Sequence, residues 1–334
     1  MKKTIFAVLA ATLVGLAVIG WLAFVPALKQ APYVFVSAWG EKGTGPGQFR
    51  DPTGIAVFDG EVFVSDARGG RVQVFDLDGN FRRQIGKPGK GVGELARPMN
   101  LTIAGGELYV AEYWNDRIQV FGLDGTPKRI IGGPGSGPGQ FKAPGGIAVA
   151  ANGDLTVADF YNQRIQKLRA DGTFIRQWGT TGKVGIWSEQ FNYPTDVALG
   201  PDGTLYVADG YNDRIQAFGG DGGLAWKRGG PLAMNIWGPF RGWFATVTAL
   251  SVDRDGNVFA ADFYNNRIQK FSAAGTFLTA FGEKGSGPGQ MAYAIGIAVA
   301  ADGSVFAADF GNNRITKWAP SSSSRRSGGT PGAP

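Results

Sequence analysis

Short apolar stretches, each followed by a turn rich in glycine, recur along most of the chain. Between residues 146 and 178 four of them follow one another: Gly146–Ala150, Leu155–Ala158, Arg164–Leu168 and Phe174–Trp178. The dipeptides Asn152-Gly153 and Asp171-Gly172 separate the first pair and the last pair. Such dipeptides favour the type I′ turn of a β-hairpin, because both central residues need positive φ. The pattern predicts four antiparallel strands in this segment.

The same four-stranded unit occurs six times. Its most regular part is an acidic residue followed five residues later by an arginine. The acidic position falls at Asp66, Glu112, Asp159, Asp209, Asp262 and Asp309, and the basic position at Arg71, Arg117, Arg164, Arg214, Arg267 and Arg314. Neighbouring copies are 46 to 53 residues apart. Four short strands within a period of this length are typical of a propeller blade.

The two ends of the repeat region complement each other. The sixth copy stops after its third strand, Arg314–Trp318, and lacks an outer strand. Near the start of the chain, Phe35–Gln48 repeats Phe277–Gln290 nearly residue for residue. We therefore expect the N-terminal strand to complete the sixth blade and close the ring, which would remove an exposed strand edge.

The repeat resembles the NHL repeat. The resemblance lies in the segment Asp-x-x-Asn-x-Arg-Ile-Gln and in the lead-in Gly-Pro-Gly-Gln-Phe…Pro…Gly-Ile-Ala-Val, seen at residues 45–57, 137–149 and 287–299. It covers nearly all of residues 31–320 and implies an all-β, six-bladed β-propeller. Similar propellers include amidating lyases, sensor domains of bacterial membrane kinases, RNA-binding modules of developmental regulators and uncharacterised exported proteins. The resemblance therefore implies a fold and leaves the function open.

Residues 4–25 form an uncharged run between Lys2-Lys3 and Pro26. As a helix they would span about 33 Å at ~1.5 Å per residue, which matches a hydrocarbon core of about 30 Å. We expect residues 1–30 to form an uncleaved signal-anchor that leaves the propeller, residues 31–320, on the extracytoplasmic (periplasmic) side of the membrane. Cleavage as a signal peptide, followed by secretion, is the alternative. Residues 321–334, rich in Ser, Gly and Pro, are predicted to be a disordered tail.

The composition excludes several kinds of chemistry. The chain contains no histidine and no cysteine. It therefore has no Ser-His-Asp triad, no histidine-held zinc, no cysteine nucleophile and no disulfide. The net charge is +6, but five basic residues lie in the two terminal segments, which leaves +1 for residues 31–320. A nucleic-acid-binding domain ordinarily carries a basic face, so we expect no nucleic-acid partner.

Candidate sites lie on one face of the predicted propeller. The loops between second and third strands and the connections between blades share this face, which we name the top face. The acid–arginine pairs lie there, but they occur in every blade whereas catalysis needs one site, so we expect them to be structural. Aromatic residues two positions past the acid are candidate binding residues, because amphipathic rings on a rigid rim suit sugars, peptides or protein surfaces. They are Trp114, Tyr161, Tyr211 and Tyr264. Packing between blades is the alternative role.

The connection between the fourth and fifth blades, residues 219–247, departs most from the repeat. Loops added to a rigid scaffold often carry specificity. Its aromatic residues Trp237, Phe240 and Trp243 are therefore further binding candidates. The alternative is a lid that packs on itself.

Asn100 and Asp196 are the two polar residues that stand out where inner strands begin, at the mouth of the central channel. Resemblance to propeller lactonases of the gluconolactonase type would imply a divalent metal held there by Asn, Asp and Glu. The corresponding positions hold no Glu; they are Gly54, Gly146, Ala249 and Gly296. Two ligands are fewer than the six to eight oxygens that calcium prefers. We therefore expect no metal and no cofactor.

The sequence favours a membrane-tethered binding or scaffold protein, either a sensor or an accessory subunit of a membrane complex. Its expected partner is a protein or a small ligand on the top face, and we expect no enzymatic activity. The alternative is a propeller hydrolase or lactonase with a carboxylate-held divalent metal in the central channel.

Overall fold

A computed structural model describes residues 30–321, together with Thr12, Val14 and Gly15. The predicted signal-anchor and the predicted tail lie outside the described residues, apart from these positions and Ser321. No helix among the described residues is long and apolar enough to cross a lipid bilayer.

The described chain folds into an all-β, six-bladed propeller, which confirms the predicted fold class. Each blade is a four-stranded antiparallel sheet, and the inner strand of each blade contacts the inner strands of the two neighbouring blades. The strands of blades 1 to 5 are Pro52–Phe58, Glu61–Asp66, Arg71–Asp76, Phe81–Ile85; Pro98–Ala104, Glu107–Glu112, Arg117–Gly122, Pro127–Ile131; Pro144–Val149, Leu155–Asp159, Arg164–Leu168, Phe174–Trp178; Pro194–Leu199, Leu205–Asp209, Arg214–Phe218, Leu224–Gly229; and Val247–Val252, Val258–Asp262, Arg267–Phe271, Phe277–Phe281.

Blade 6 combines strands from both ends of the described chain. Its inner three strands are Ala294–Val299, Val305–Asp309 and Arg314–Pro320. The outer strand is Tyr33–Trp39, which pairs antiparallel with Arg314–Pro320, with Tyr33 opposite Pro320. The ring of Tyr33 also stacks on Phe281 of blade 5, with the centroids 4.6 Å apart.

Short elements occupy the connections between blades. Three of these connections contain a two-residue parallel ribbon: Glu41–Lys42 with Gln48–Phe49, Lys87–Pro88 with Glu94–Leu95, and Glu283–Lys284 with Gln290–Met291. The connection before blade 3 has a single parallel bridge, between Pro134 and Phe141, and the described residues before blades 4 and 5 form no parallel pairing. Single turns of 3-10 helix lie between second and third strands at Phe160–Asn162 and Gly210–Asn212, and before blade 5 at Pro231–Ala233.

The core consists of six apolar clusters of side chains from neighbouring blades. Both faces of each blade are covered by its neighbours, so the second strands, such as Leu155–Asp159, are buried throughout. Near the axis the inner strands come so close that a side chain at Gly296 would collide with the carbonyl oxygen of Thr53. This crowding explains why small residues dominate the inner strands.

Candidate functional site

The acid–arginine pairs hold the connections between blades in place. In blade 4, Arg214 Nε donates to Asp209 Oδ2 at 2.7 Å, while Arg214 Nη2 donates to the carbonyl oxygens of Trp187 and Gln190. Asp209 Oδ1 accepts from the backbone N–H of Asn192. Burial raises the pKa of Asp209 to about 6, although Arg214 opposes this shift. Each pair thereby fixes the connection that leads into its own blade.

All six pairs have this geometry. The distance from arginine Nε to the carboxylate oxygen is 2.6 to 2.9 Å in every blade. The arginine nitrogens that face away from the carboxylate donate to backbone carbonyls of the connection, as in Arg164 and Arg267. Their hydrogen-bonding capacity is used within the fold, which supports a structural role.

A further hydrogen bond joins one blade to the next. Gln163, the residue before Arg164, has a positive φ of 58° and accepts from the backbone N–H of Tyr193 at 2.7 Å. Tyr193 immediately precedes the inner strand of the next blade. The same inter-blade hydrogen bond links Asp116 with Ala143, Asp213 with Thr246, Asn266 with Tyr293, and Asn313 with Asp51. It was not predicted from the sequence.

The junction between blades 1 and 2 lacks this bond. At the two positions before the arginine of the repeat, blade 1 has Gly69 and Gly70. The other blades have an asparagine there, followed by the residue whose side chain accepts the inter-blade hydrogen bond. Gly70 has a positive φ of 61°, and a side chain on it would press against the backbone of Pro88 and Leu95. The N–H of Arg97, which is equivalent to that of Tyr193, therefore has no acceptor from blade 1.

The aromatic residues predicted two positions past the acid are exposed on the top face. Trp114 is 60% exposed and Tyr264 is 62% exposed, and Tyr161 and Tyr211 are also exposed. Blade 1 has Arg68 at this position and blade 6 has Gly311. The rim of rings therefore covers blades 2 to 5.

Tyr161, Tyr211 and Tyr264 belong to two larger aromatic clusters that the sequence reasoning missed. The first, named the Tyr193 cluster, comprises Tyr113, Phe160, Tyr161, Tyr193 and Tyr211, with neighbouring centroids 4.9 to 6.3 Å apart. The second, named the Phe263 cluster, comprises Phe263, Tyr264, Tyr293 and Phe310. The added members lie one residue past the acid or just before an inner strand. Comparing these two positions across the six copies could have found them.

A cavity of about 180 Å³ opens at the mouth of the channel beside the Tyr193 cluster. It is named the mouth cavity, and its lining includes Arg97, Asn100, Tyr113, Phe160, Thr195 and Thr248. The guanidinium carbon of Arg97 lies 5.6 Å from the ring centroid of Tyr113 and 5.3 Å from that of Trp114. Nε of Arg97 is buried and has no hydrogen-bond partner among the described residues.

Asp196 is fully buried close to the channel axis. Its Oδ2 accepts from the backbone N–H of Leu250 at 2.7 Å, and its Oδ1 is buried without a partner among the described residues. Burial raises the pKa of Asp196 to about 7. Asn100 lines both the mouth cavity and a second cavity of about 220 Å³ farther along the inner strands. The described residues include no group of three or more Asp or Glu side chains placed to hold a metal ion.

The three candidate rings in the long connection before blade 5 differ in exposure. Trp237 is 70% exposed and Phe240 is also exposed. Trp243 is 8% exposed and packs edge-on against Phe240 at 5.0 Å. Its carbonyl oxygen accepts from Arg267 and Gln269. Trp243 is therefore part of the packed connection, and Trp237 and Phe240 are the rings that this connection exposes.

Sequence comparison identifies the repeat. Residues 141–168, 191–218 and 244–271 match the NHL repeat, and each match runs from just before an inner strand to the end of a third strand. The chain contains NHL repeats. Residues 47–105, which precede the matched NHL repeats, match a domain described as a 6-bladed beta-propeller.

A curated relative matches a short part of the chain. Protein brain tumor of Drosophila melanogaster is 34% identical over 61 residues, which are 18% of this chain and 6% of that protein. The match thus spans only a small fraction of the relative's length.

Two solved structures share the propeller fold. A catalytically inactive virginiamycin B lyase from Staphylococcus aureus, bound to quinupristin, is 21% identical with a TM-score of 0.55, covering 88% of this chain and 90% of that chain. A gluconolactonase from Xanthomonas campestris is 16% identical with a TM-score of 0.59, covering 87% and 98%. At these identities the likeness shows the fold alone.

Proposed function

We propose that this protein is a binding or scaffold protein that holds a protein partner or a small ligand on its top face. It would act as a sensor or as an accessory subunit of a membrane complex. The observation that carries the proposal is the exposure of Trp114, Tyr161, Tyr211 and Tyr264 around the channel mouth, backed by the two aromatic clusters. Large rings held on a rigid rim supply binding surface at a small cost in conformational entropy.

The titratable groups support binding over catalysis. The six acid–arginine pairs are occupied in holding the connections, and burial raises the pKa of Tyr113 and Tyr211, so their phenols stay neutral. The lyase of similar fold is described as inactive when one histidine is replaced by alanine. This chain contains no histidine that could take such a role.

We also propose that residues 4–25 tether the propeller to a membrane, with the propeller on the extracytoplasmic side. Tyr33 pairs with Pro320, and Pro320 lies beside the turn at Gly303 on the bottom face, opposite the top face. Residues 26–32 reach at most about 23 Å when fully extended. The bottom face would then lie near the membrane, leaving the top face free for a partner.

Two measurements test the tether. Extraction of membranes with alkaline carbonate should leave the full chain in the pellet, and protease added to intact spheroplasts should digest the propeller. Release of a shortened chain into the medium would instead support the alternative, cleavage and secretion.

Affinity capture tests the binding role. The wild-type protein, a Tyr161→Ala/Tyr211→Ala variant and a Trp237→Ala variant would be compared on solubilised membranes. A Phe58→Ala/Phe81→Ala variant, which removes exposed rings from the bottom half of blade 1, is the matched control. Specific partners should be lost from the Tyr161→Ala/Tyr211→Ala variant and retained by the control. Equal recovery from both would contradict a role for the top face.

The second candidate function is a hydrolase or lactonase with a divalent metal near Asp196. One observation favours it: Oδ1 of Asp196 is a buried oxygen without a partner among the described residues. Against it, the neighbouring ring positions Gly54, Gly146, Ala249 and Gly296 supply no ligand. A rise in melting temperature on adding Ca²⁺ or Mg²⁺ that Asp196→Ala abolishes would favour the hydrolase.

A further inference from the structure

We propose that the mouth cavity binds the carboxylate of a ligand whose adjoining flat, apolar part rests on Tyr113 and Trp114. This inference rests on the proposed binding role of the top face and specifies the ligand class. Four observations carry it: the unpaired guanidinium of Arg97, the glycines of blade 1, the state of the neighbouring carboxylates, and the dimensions of the cavity.

Arg97 differs from the six arginines of the repeat. Each of those donates to a carboxylate of its own blade, whereas Arg97 forms no ion pair within residues 30–321. Its Nε is buried without a partner, and two aromatic rings flank its guanidinium. The terminal nitrogens of Arg97 likewise have no hydrogen-bond partner within residues 30–321 and, unlike Nε, are not buried. They are the donors that a ligand carboxylate would reach.

Arg97 is also distinctive among the residues that precede the inner strands. These residues all have positive φ, and they are Asp51, Arg97, Ala143, Tyr193, Thr246 and Tyr293. Arg97 is the single cation among them. Arg97 shares its position before a proline with Asp51, Ala143 and Tyr193, so this backbone conformation belongs to the repeat. What is particular to blade 2 is that this position places an arginine side chain in the lining of the mouth cavity.

The glycines of blade 1 leave a second donor of Arg97 without an inter-blade acceptor. Because Gly70 has no side chain, the backbone N–H of Arg97 donates no inter-blade hydrogen bond, unlike that of Tyr193 or Thr246. The side-chain amide of Asn100 lines the same cavity. The amide of Asn100 is directed to Asp196, so the guanidinium and the backbone N–H of Arg97 are the two donors that suit an anion here.

Neighbouring carboxylates do not neutralise Arg97. Asp51 pairs with Arg68, and Oδ1 of Asp116 accepts from the N–H of Ala143. Arg50 and Arg68 lie on the same side of the mouth, where Arg50 donates to the carbonyl oxygen of Arg68. Asp116 keeps its negative charge, so the three arginines Arg50, Arg68 and Arg97 outnumber the two carboxylates and leave this group of residues with a net positive charge.

The dimensions of the cavity limit the ligand. About 180 Å³ admits a carboxylate and a few carbons, so the remainder of the ligand would lie outside, over the exposed rings. A planar guanidinium binds a planar carboxylate through two parallel hydrogen bonds. The fitting ligand is a peptide or small acid with a flat apolar group next to its carboxylate.

Phenylacetate and its neutral analogue phenylacetamide test this inference on the full chain in detergent, with binding followed by ligand-observed NMR titration. Phenylacetate should bind about tenfold more tightly, since hydrogen bonds to charged groups exceed neutral ones by roughly this factor. Arg97→Gln should abolish the difference, and Arg97→Lys should keep part of it. Arg169→Gln, at an exposed bottom turn, should keep all of it. Melting curves of each variant would check that it folds.

Equal affinities for the two ligands, absence of binding by either, or a preference that survives Arg97→Gln would each overturn the carboxylate site. Tighter binding of phenyl phosphate than of phenylacetate would also overturn it in favour of a phosphate site. If the two ligands bind with equal affinity and both bind more weakly to the Tyr161→Ala/Tyr211→Ala variant, the proposed binding role of the top face would still hold. The affinity capture is a separate test of that role. Recovery of the same partners by the wild type and by the Tyr161→Ala/Tyr211→Ala variant would contradict it.

Discussion

Asp209 Oδ2 and Arg214 Nε lie 2.7 Å apart, and both side chains are 0% exposed. Arg214 Nη1 also donates to the carbonyl oxygens of Ile186 and Ala233, so this one guanidinium joins the connections before blades 4 and 5. The equivalent arginine of blade 6, Arg314, is 17% exposed and contacts only one connection. The acid–arginine pair thus holds two connections in blade 4 and one connection in blade 6.

Replacing Arg214 tests this difference. Arg214→Met would leave Asp209 buried without its cation, so we expect a loss of about 3–5 kcal/mol in free energy of unfolding. Arg314→Met is the matched control and should cost less, because Arg314 is partly exposed and holds one connection, whereas Arg214 is buried and holds two. Chemical denaturation of both variants provides the measurement, and equal losses would contradict the argument.

The inter-blade hydrogen bond can be tested at Gln163. Gln163→Ala removes the acceptor for the N–H of Tyr193 and should destabilise the fold by about 1–2 kcal/mol. Gln163→Asn is the matched control, because Asn266 makes the same bond in blade 5. Thermal or urea unfolding measures the stability of both variants. If Gln163→Asn is no more stable than Gln163→Ala, the hydrogen bond does not contribute to stability.

Asp196 should make stability depend on pH. Burial raises its pKa from 3.8 to about 7, so the folded protein holds this proton more tightly than the unfolded chain. Its contribution to stability is therefore full below about pH 4, falls as pH rises, and is lost above about pH 7. Asp196→Asn keeps an acceptor for the N–H of Leu250 and does not titrate. At pH 8 it should exceed the wild type by up to about 4 kcal/mol, at 1.36 kcal/mol per pKa unit.

Urea unfolding of the two proteins from pH 5 to pH 8 measures this effect. Asp171→Asn, in an exposed bottom turn, is the control and should leave the slope over this range unchanged. Parallel curves for the wild type and Asp196→Asn would show that Asp196 is not the group responsible.

The N-terminal strand should contribute to the stability of blade 6. Tyr33→Ala removes a buried ring stacked on Phe281, and we expect a loss of about 3 kcal/mol. Val36→Ala, at a half-exposed position on the same strand, should change stability by less than about 0.5 kcal/mol. A chain that begins at Glu41 should unfold at a lower temperature than one that begins at Ala31, because Arg314–Pro320 becomes an unpaired edge.

The sequence predicted the propeller because each blade repeats a complete local pattern of strands, Asn-Gly or Asp-Gly turns and an acid–arginine loop. Predicting the site was harder, because a binding surface combines residues from different copies. Arg97, Tyr113 and Phe160 are far apart in sequence and share one cavity only after the ring is assembled. Trp243 shows a different limit: the aromatic residues of its loop suggested either binding or self-packing, and the sequence could not tell that this ring is buried while Trp237 is exposed.

The glycines at positions 69 and 70 leave one seam of the ring without the bond that secures the other five. Blades 1 and 2 are joined instead by the hydroxyl of Thr53 and the guanidinium of Arg83, which donate to the carbonyl oxygens of Pro98 and Leu123. A molecule bound beside Arg97 would add contacts at this junction, so occupancy of the cavity should reduce the relative motion of blades 1 and 2.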